Sequence, residues 1–395
     1  MIMNDVGGQH RATDGAPIGL EVRFTAFAFN REGALGNTTF YKIELVNKGD
    51  ADLTNAYVSI FHDPDLGNFQ DDYIGCDTLL GLGFCYNGDN VDEGAAGYGD
   101  RPPAVGTDFF QGPLVNNDGI DNDQDGQVDE ADERLKMTSF TYFNNGACNN
   151  CDPTTGIQYY NYMQARFRDG SPLTFGGDGT NPASRRTFFA FPSDPNEPCG
   201  PNVWHEVCAG NVPADRRFVM TTGPFTLKRG QVQEIVFGTV WAQGLNRLAS
   251  VTALKSADAK AQAAFDLNFE LPSGPPSPRV EVAQLPNQVT LSWDDRAVSY
   301  RAGNYRFEGY MIYQYRTPST TAERKLLATY DVKNDITVVF DEIFDERYGV
   351  EVNVPVAFGS DSGLKFSITI DKDAFTGGPL INGKDYYFAV VAYAI

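Results

Sequence analysis

Apolar and polar residues alternate most clearly near the start of the chain. Over 40–46, Tyr41, Ile43 and Leu45 fall on one side and Lys42 and Glu44 on the other, the period-2 pattern of a half-buried strand. The stretches 20–29 and 56–61, rich in Phe, Val and Ile, read as strands too, and Asn47-Lys48-Gly49-Asp50 is turn chemistry between the second and third. Residues 18–62 therefore predict the opening of a β-sandwich. From about 63 to 216 the alternation fades and Gly, Asn, Asp, Pro and all the cysteines gather, which predicts a long insertion that something must staple. Within it, Ile157, Tyr160 and Phe167 stand at roughly helical spacing and predict a short helix. Strand patterns return at 217–220 and 233–241, around the turn Lys228-Arg229-Gly230, and predict the closing strands of the sandwich. An Ala-rich helix is expected over about 248–267, with Leu248, Val251, Leu254, Ala261 and Phe265 near one face.

The Pro-rich stretch 272–278 reads as a stiff linker and the clearest domain boundary. Beyond it come strand patterns at 288–293, 305–313, 325–330 and 384–393. The tryptophan strand ending at Trp293, "GYMIYQY" from Gly309 and "NGKDYYFAVVAY" from Asn382 resemble a fibronectin type III domain over 279–395. That resemblance implies a second β-sandwich, with an added segment around 340–363 and without its last strand. The strand edge so left open is expected to be completed either by sequence beyond residue 395 or by a strand from a neighbouring subunit, with the Gly-rich segment 1–17 as candidate donor or else a linker. The fold class is thus mostly β: a sandwich over 18–271 with a disulfide- and calcium-stapled insertion and one helix, then the fibronectin-like sandwich.

Charge narrows the partners. The chain has 395 residues, and 52 acidic against 31 basic ones leave a formal net charge of −21, which repels nucleic acid and anionic membranes. No run of about 20 apolar residues predicts a transmembrane helix. Residues 1–5 lack the basic and apolar parts of a signal peptide, so the numbering is read as starting inside a processed or partial chain. The six cysteines form three close pairs, Cys76/Cys85, Cys148/Cys151 and Cys199/Cys208, which predicts three local disulfides in an oxidising, extracellular or cell-surface setting. The competing use of Cys148 and Cys151, with a second pair, is a zinc site.

The strongest motif is a calcium-type loop over 121–132. Asp121, Asp123 and Asp125 at alternate positions, followed by Gly126, let a backbone wrap a cation that needs six to eight hard oxygens. Gln127 would add its carbonyl, Asp129 the ninth position and Asp132 the twelfth, where Glu is usual and Glu133 stands next door. Val128 would pin the loop to apolar surface. A second acidic cluster, Asp63, Asp65, Asp71 and Asp72, is a further candidate calcium site with an ordinary acidic loop as its equal alternative, and 87–92 reads as a turn. Of the three histidines, His10, His62 and His205, none forms a zinc-hydrolase motif, and neither a nucleophile elbow nor a P-loop occurs. His62 reads as a structural strand-end residue, and Trp204-His205 as packing on a disulfide, with an exposed sugar-binding tip as the bolder reading.

The strings "FNREGALGNTTFYKIELVNKGDADL", "DPDLGNFQDDYIGCDT", "RPPAVGTDFFQGP" and "RRFVMTTGPFTLKRGQVQEIVFG" resemble the N-terminal part of large secreted Bacteroidota-type surface proteins of the type IX secretion class. The resemblance implies export and no activity. Taken together, the readings predict a non-enzymatic structural or adhesive surface protein that self-associates or meets other surface proteins. An accessory module of a secreted hydrolase, binding carbohydrate or protein, is the alternative.

Overall fold

In the computed structural model the protein is described over residues 2–3, 14–30, 33–122, 126–146, 148–269, 274–302, 305–319, 321–345 and 350–395. It divides into two compact units, Met1–Asn268 with Phe344–Val350, and Phe269–Ile343 with Glu351–Ile395. Both are built mainly of antiparallel strands.

In the first unit the strands are β1 (Ile2–Met3), β2 (Leu20–Ala28), β3 (Thr38–Asn47), β4 (Leu53–His62), β5 (Asp72–Asp77), β6 (Leu82–Asn87), β7 (Ala104–Gln111), β8 (Ser139–Asn144), β9 (Arg216–Leu227) and β10 (Val232–Ala242). They form a seven-stranded sheet in the order β1-β2-β3-β10-β7-β6-β5 and a three-stranded sheet β4-β9-β8. Side chains of both sheets meet in one core, among them Leu45, Ile74, Phe109, Phe140, Phe218, Met220 and Ile235, giving a sandwich. The turns 48–52 and 228–231 each carry the chain from one sheet to the other, so β9 and β10 close opposite sheets.

The segment 63–216 is not an insertion into a finished sandwich. It supplies β5, β6 and β7, which extend the larger sheet beyond β10, and β8, which pairs with β9. These strands escaped the period-2 reading because β6 is buried at every residue and β5 and β7 nearly so. A strand covered on both faces shows no alternation. One of those covers is α3 (Arg247–Asp266), packed on the outer face of the larger sheet. Its start is set by Asn246, whose side chain accepts from the amides of Leu248 and Ala249. The shorter helices are α1 (Gly156–Met163) and α2 (Glu206–Ala209). No helix among the described residues is long and apolar enough to cross a membrane.

The second unit holds β11 (Val280–Leu285), β12 (Gln288–Trp293), β13 (Arg301–Ala302), β14 (Tyr305–Tyr315), β15 (Arg324–Asp331), β16 (Val338–Asp345), β17 (Val350–Phe358), β18 (Ser367–Ile370) and β19 (Tyr387–Ala394). One sheet runs β11-β12-β18; the other centres on β14, which pairs with β13, β15 and β19; β16 and β17 pair as a hairpin within the added segment. Trp293 packs edge-on against Tyr310 in a core with Leu291, Ile312, Ile370 and Val390. A hollow of about 840 Å³ opens between β11 and the start of β19, lined by Val280, Val282, Tyr386 and Phe388.

Candidate metal centre

Strand pairing brings the first acidic group together. β4 ends with His62 opposite Phe218 of β9, so Asp63 and Asp65, just past β4, lie beside Asp215, just before β9. One carboxylate oxygen of each of Asp63, Asp65 and Asp215 lies within 4.8 Å of the others. Arg217 ties them: Nε donates to Asp63 Oδ2 at 2.9 Å, Nη2 to Asp215 Oδ2 at 3.3 Å, and Nη1 stands 3.7 Å from Asp152. With Asp152, four carboxylates gather around the one Arg217 guanidinium, which does not balance their formal charge. Asp63 Oδ1 and Asp215 Oδ1 are buried atoms with no hydrogen-bond partner. Asp65 is held above its usual carboxylate range by partial burial and by the charges of Asp63 and Asp215, against Arg217. Asp215 was invisible as a ligand in the sequence, because only the β4–β9 register carries it to Asp63.

Asp71 and Asp72 do not join this group. The loop 66–72 closes instead around Asp92, which is 2% exposed and accepts from the amides of Asn68 at 2.9 Å and Tyr98 at 3.0 Å. Gly67, at φ +63°, is required there, since a Cβ would lie 1.9 Å from Asp92 Oδ2. Asp72 turns into the core, where its Oδ2 accepts from the Leu66 amide; burial drives its carboxyl up to about 8. Asp71 is raised to about 6 by burial and by the charges of Asp92 and Glu93.

In the calcium-type loop, Asp123 and Asp125 lie outside the described residues. Asp121 Oδ2 accepts from the Gly126 amide at 3.0 Å, folding the turn inward. Asp129, expected as a ligand, turns its carboxylate to the amides of Asp118 and Gly119. At the loop's end Asp132 is exposed, while Glu133 is 1% exposed and accepts from the Asn122 amide, so the inward acid is one residue later than the twelve-residue template places it. Gln127 is exposed, and Val128 is 55% exposed, so it does not anchor the loop to apolar surface.

The cysteines divide. Cys148–Cys151 and Cys199–Cys208 are disulfides. His205 lies with Cys199 and Cys208 in a group of metal-type donors, but the two sulfurs are bonded to each other and offer no thiolate. The expected Cys76–Cys85 bridge is absent: both are buried thiols. On the paired strands Cys76 stands opposite Gly83 and Cys85 opposite Ile74, a diagonal offset that a disulfide does not span without a shift in register. Cys76 Sγ donates instead to the Ala190 carbonyl at 3.3 Å, and burial pushes both thiols well above their ordinary range. Alkylation of the native protein without reductant should therefore label neither, and labelling after unfolding should add two adducts per chain, on Cys76 and Cys85. Zero adducts after unfolding would restore the third bridge.

Trp204 is 1% exposed, packed against Phe175 and Phe191, with Nε1 donating to the Gly177 carbonyl. It is core and not a sugar platform. His62 is held neutral, its pKa lowered to about 4 by burial against the pull of Asp63, and its Nδ1 meets Thr107 Oγ1 at 2.9 Å. Set beside known proteins, the chain matches no protein-family model and no curated protein.

Proposed function

We propose that this is a non-enzymatic extracellular structural or adhesive protein, a subunit of a surface appendage, filament or layer, whose first unit is stiffened by calcium and disulfides. The observation that carries the reading is the Asp63, Asp65 and Asp215 group, which joins the two ends of the long segment 63–216 at the edge of the smaller sheet. A cation there would fasten the segment's start to its end, much as the two disulfides fasten shorter loops within it. The acid surplus supports the same reading, since part of it is gathered where cations can neutralise it. The accessory-module alternative loses its aromatic sugar tip with the burial of Trp204.

The test is a melting curve with and without chelator. A cation bound at a thousandfold its dissociation constant adds about 4 kcal/mol. For a unit of this size that corresponds to a melting temperature roughly 10 °C higher. Excess EDTA should remove that gain, Asp63→Asn with Asp215→Asn should abolish most of the EDTA effect, and calcium should promote assembly seen by sedimentation. A parent that melts identically with EDTA would overturn the calcium reading, and a glycan-array signal from a strictly monomeric protein would favour the accessory module.

A further inference from the structure

A second group of acids lies on the outer face of the larger sheet, away from the Asp63 group. Register sets Asp77 of β5 opposite Leu82 of β6, Leu82 opposite Asp108 of β7, and Asp108 opposite Gly238 of β10. Residues directly opposite in antiparallel strands share a face, so these positions form one row. Helix α3 covers that face: a Cβ on Gly106 would lie 3.2 Å from Leu254 Cδ2, and Phe265 stacks on Phe110 at 6.0 Å. Four helix residues and two strand residues advance by similar lengths, roughly 6–7 Å, so Asp258 is set over Asp108. In the helix pattern Asp258 occupies a place among Val251, Leu254 and Ala261 that packing alone would give to an apolar residue.

Asp108 is fully buried and Asp258 is 1% exposed. Both oxygens of Asp108 and Oδ1 of Asp258 have no hydrogen-bond partner. The nearby ammonium of Lys255 is committed elsewhere, 2.7 Å from Asp194 and 3.0 Å from Asp77. Lys136 acts on Asp108 more weakly than any other neighbour named, and burial followed by the charge of Asp258 pushes the Asp108 carboxyl well above its ordinary range. Burial, with Asp77 behind it, raises Asp258 as well. Two facing carboxylates out of water without a counter-charge cost several kcal/mol each, so something must cancel the charge.

We propose that Asp108 and Asp258 hold a divalent, oxygen-seeking cation of the calcium class, sealed between α3 and the larger sheet. The two carboxylates offer four oxygens, and an ion of this class completes its shell with water or carbonyls. The site is distinct from that of Asp63, Asp65 and Asp215, and its bound ion pins α3 to the strands it covers. Because both ligands are buried, chelator should strip it far more slowly than the ion at the partly exposed Asp63 group.

The experiment is elemental analysis of protein equilibrated with calcium and passed through gel filtration, for the parent, D108N/D258N, D63N/D215N and all four substitutions together. D108N/D258N should hold about one calcium fewer than the parent, and the same loss should appear in the D63N/D215N background. Failure of the Asp63 reading would then show separately, as D63N/D215N matching the parent. Equal calcium in the parent and D108N/D258N would overturn the proposal. Should D108N/D258N not fold, D258N alone gives the same comparison. A folded D258N that retains the parent's calcium, or a rise in melting temperature from pH 8 to 5 that persists in D72N, disappears in D108N/D258N and ignores prolonged EDTA, would identify a proton-holding acid pair and overturn the cation.

Discussion

Replacing Arg216 by Met should lower the melting temperature of the first unit by roughly 10 °C, the largest loss expected from any single charged side chain. Glu206, on α2, is fully buried and accepts four hydrogen bonds: the Ile74 amide and Arg216 Nε at Oε1, and Asn211 Nδ2 and Arg216 Nη2 at Oε2. Arg216 also donates to Asn144 Oδ1 and to the Val212 carbonyl, both at 2.7 Å, so the pair links α2, β5, β8 and β9. Burial already holds the Glu206 carboxyl above its usual range in spite of Arg216. Without the guanidinium, an uncompensated buried carboxylate remains, a change that costs about 3–5 kcal/mol. Adding Glu206→Gln to Arg216→Met should recover part of the loss, because the amide still accepts from Ile74 without carrying charge. Thermal melts of both variants check this, and an Arg216→Met protein melting within about 2 °C of the parent would refute it.

Asp72→Asn should stabilise the protein at pH 8.5 and leave it nearly unchanged at pH 4. In the folded protein burial, aided by the charge of Asp71, lifts this carboxyl from 3.8 to about 8, against the Leu66 amide and the Cys85 thiol. The folded state therefore keeps a proton that the unfolded chain releases, and stability falls as pH rises through the window from about 4 to about 8. Each pH unit inside that window costs about 1.4 kcal/mol at most. Asparagine carries no charge to bury and can still accept from Leu66, so its melting temperature should vary less with pH. Parallel melts from pH 4 to 9 test this. A variant less stable than the parent at every pH would show that Asp72 is held as a needed anion.

The helix α3 was legible because its Ala-rich apolar face is a local pattern, and β3 because apolar and polar residues alternate over 40–46 in the sequence. Two disulfides followed from close spacing. The strands of 72–111 were not legible, since burial under α3 on one side and the core on the other removes the alternation that marks a strand. Cys76 and Cys85 looked like the other pairs, and only their diagonal register keeps them apart.

The acids divide along the same line. Spacing alone marked Asp63 and Asp65 as one pair of candidate ligands, and a local turn keeps Asp121 folded toward Gly126. Tertiary structure chose Asp215 as their companion in place of Asp71 and Asp72, turned Glu133 inward in place of Asp132, and set Asp258 over Asp108. Caps, turns and periodicity act within about one turn or a few residues, so a sequence displays them. Which charges share a site depends on cross-strand register and on a helix covering a sheet, contacts between residues some 150 apart in the chain, and no local pattern encodes those.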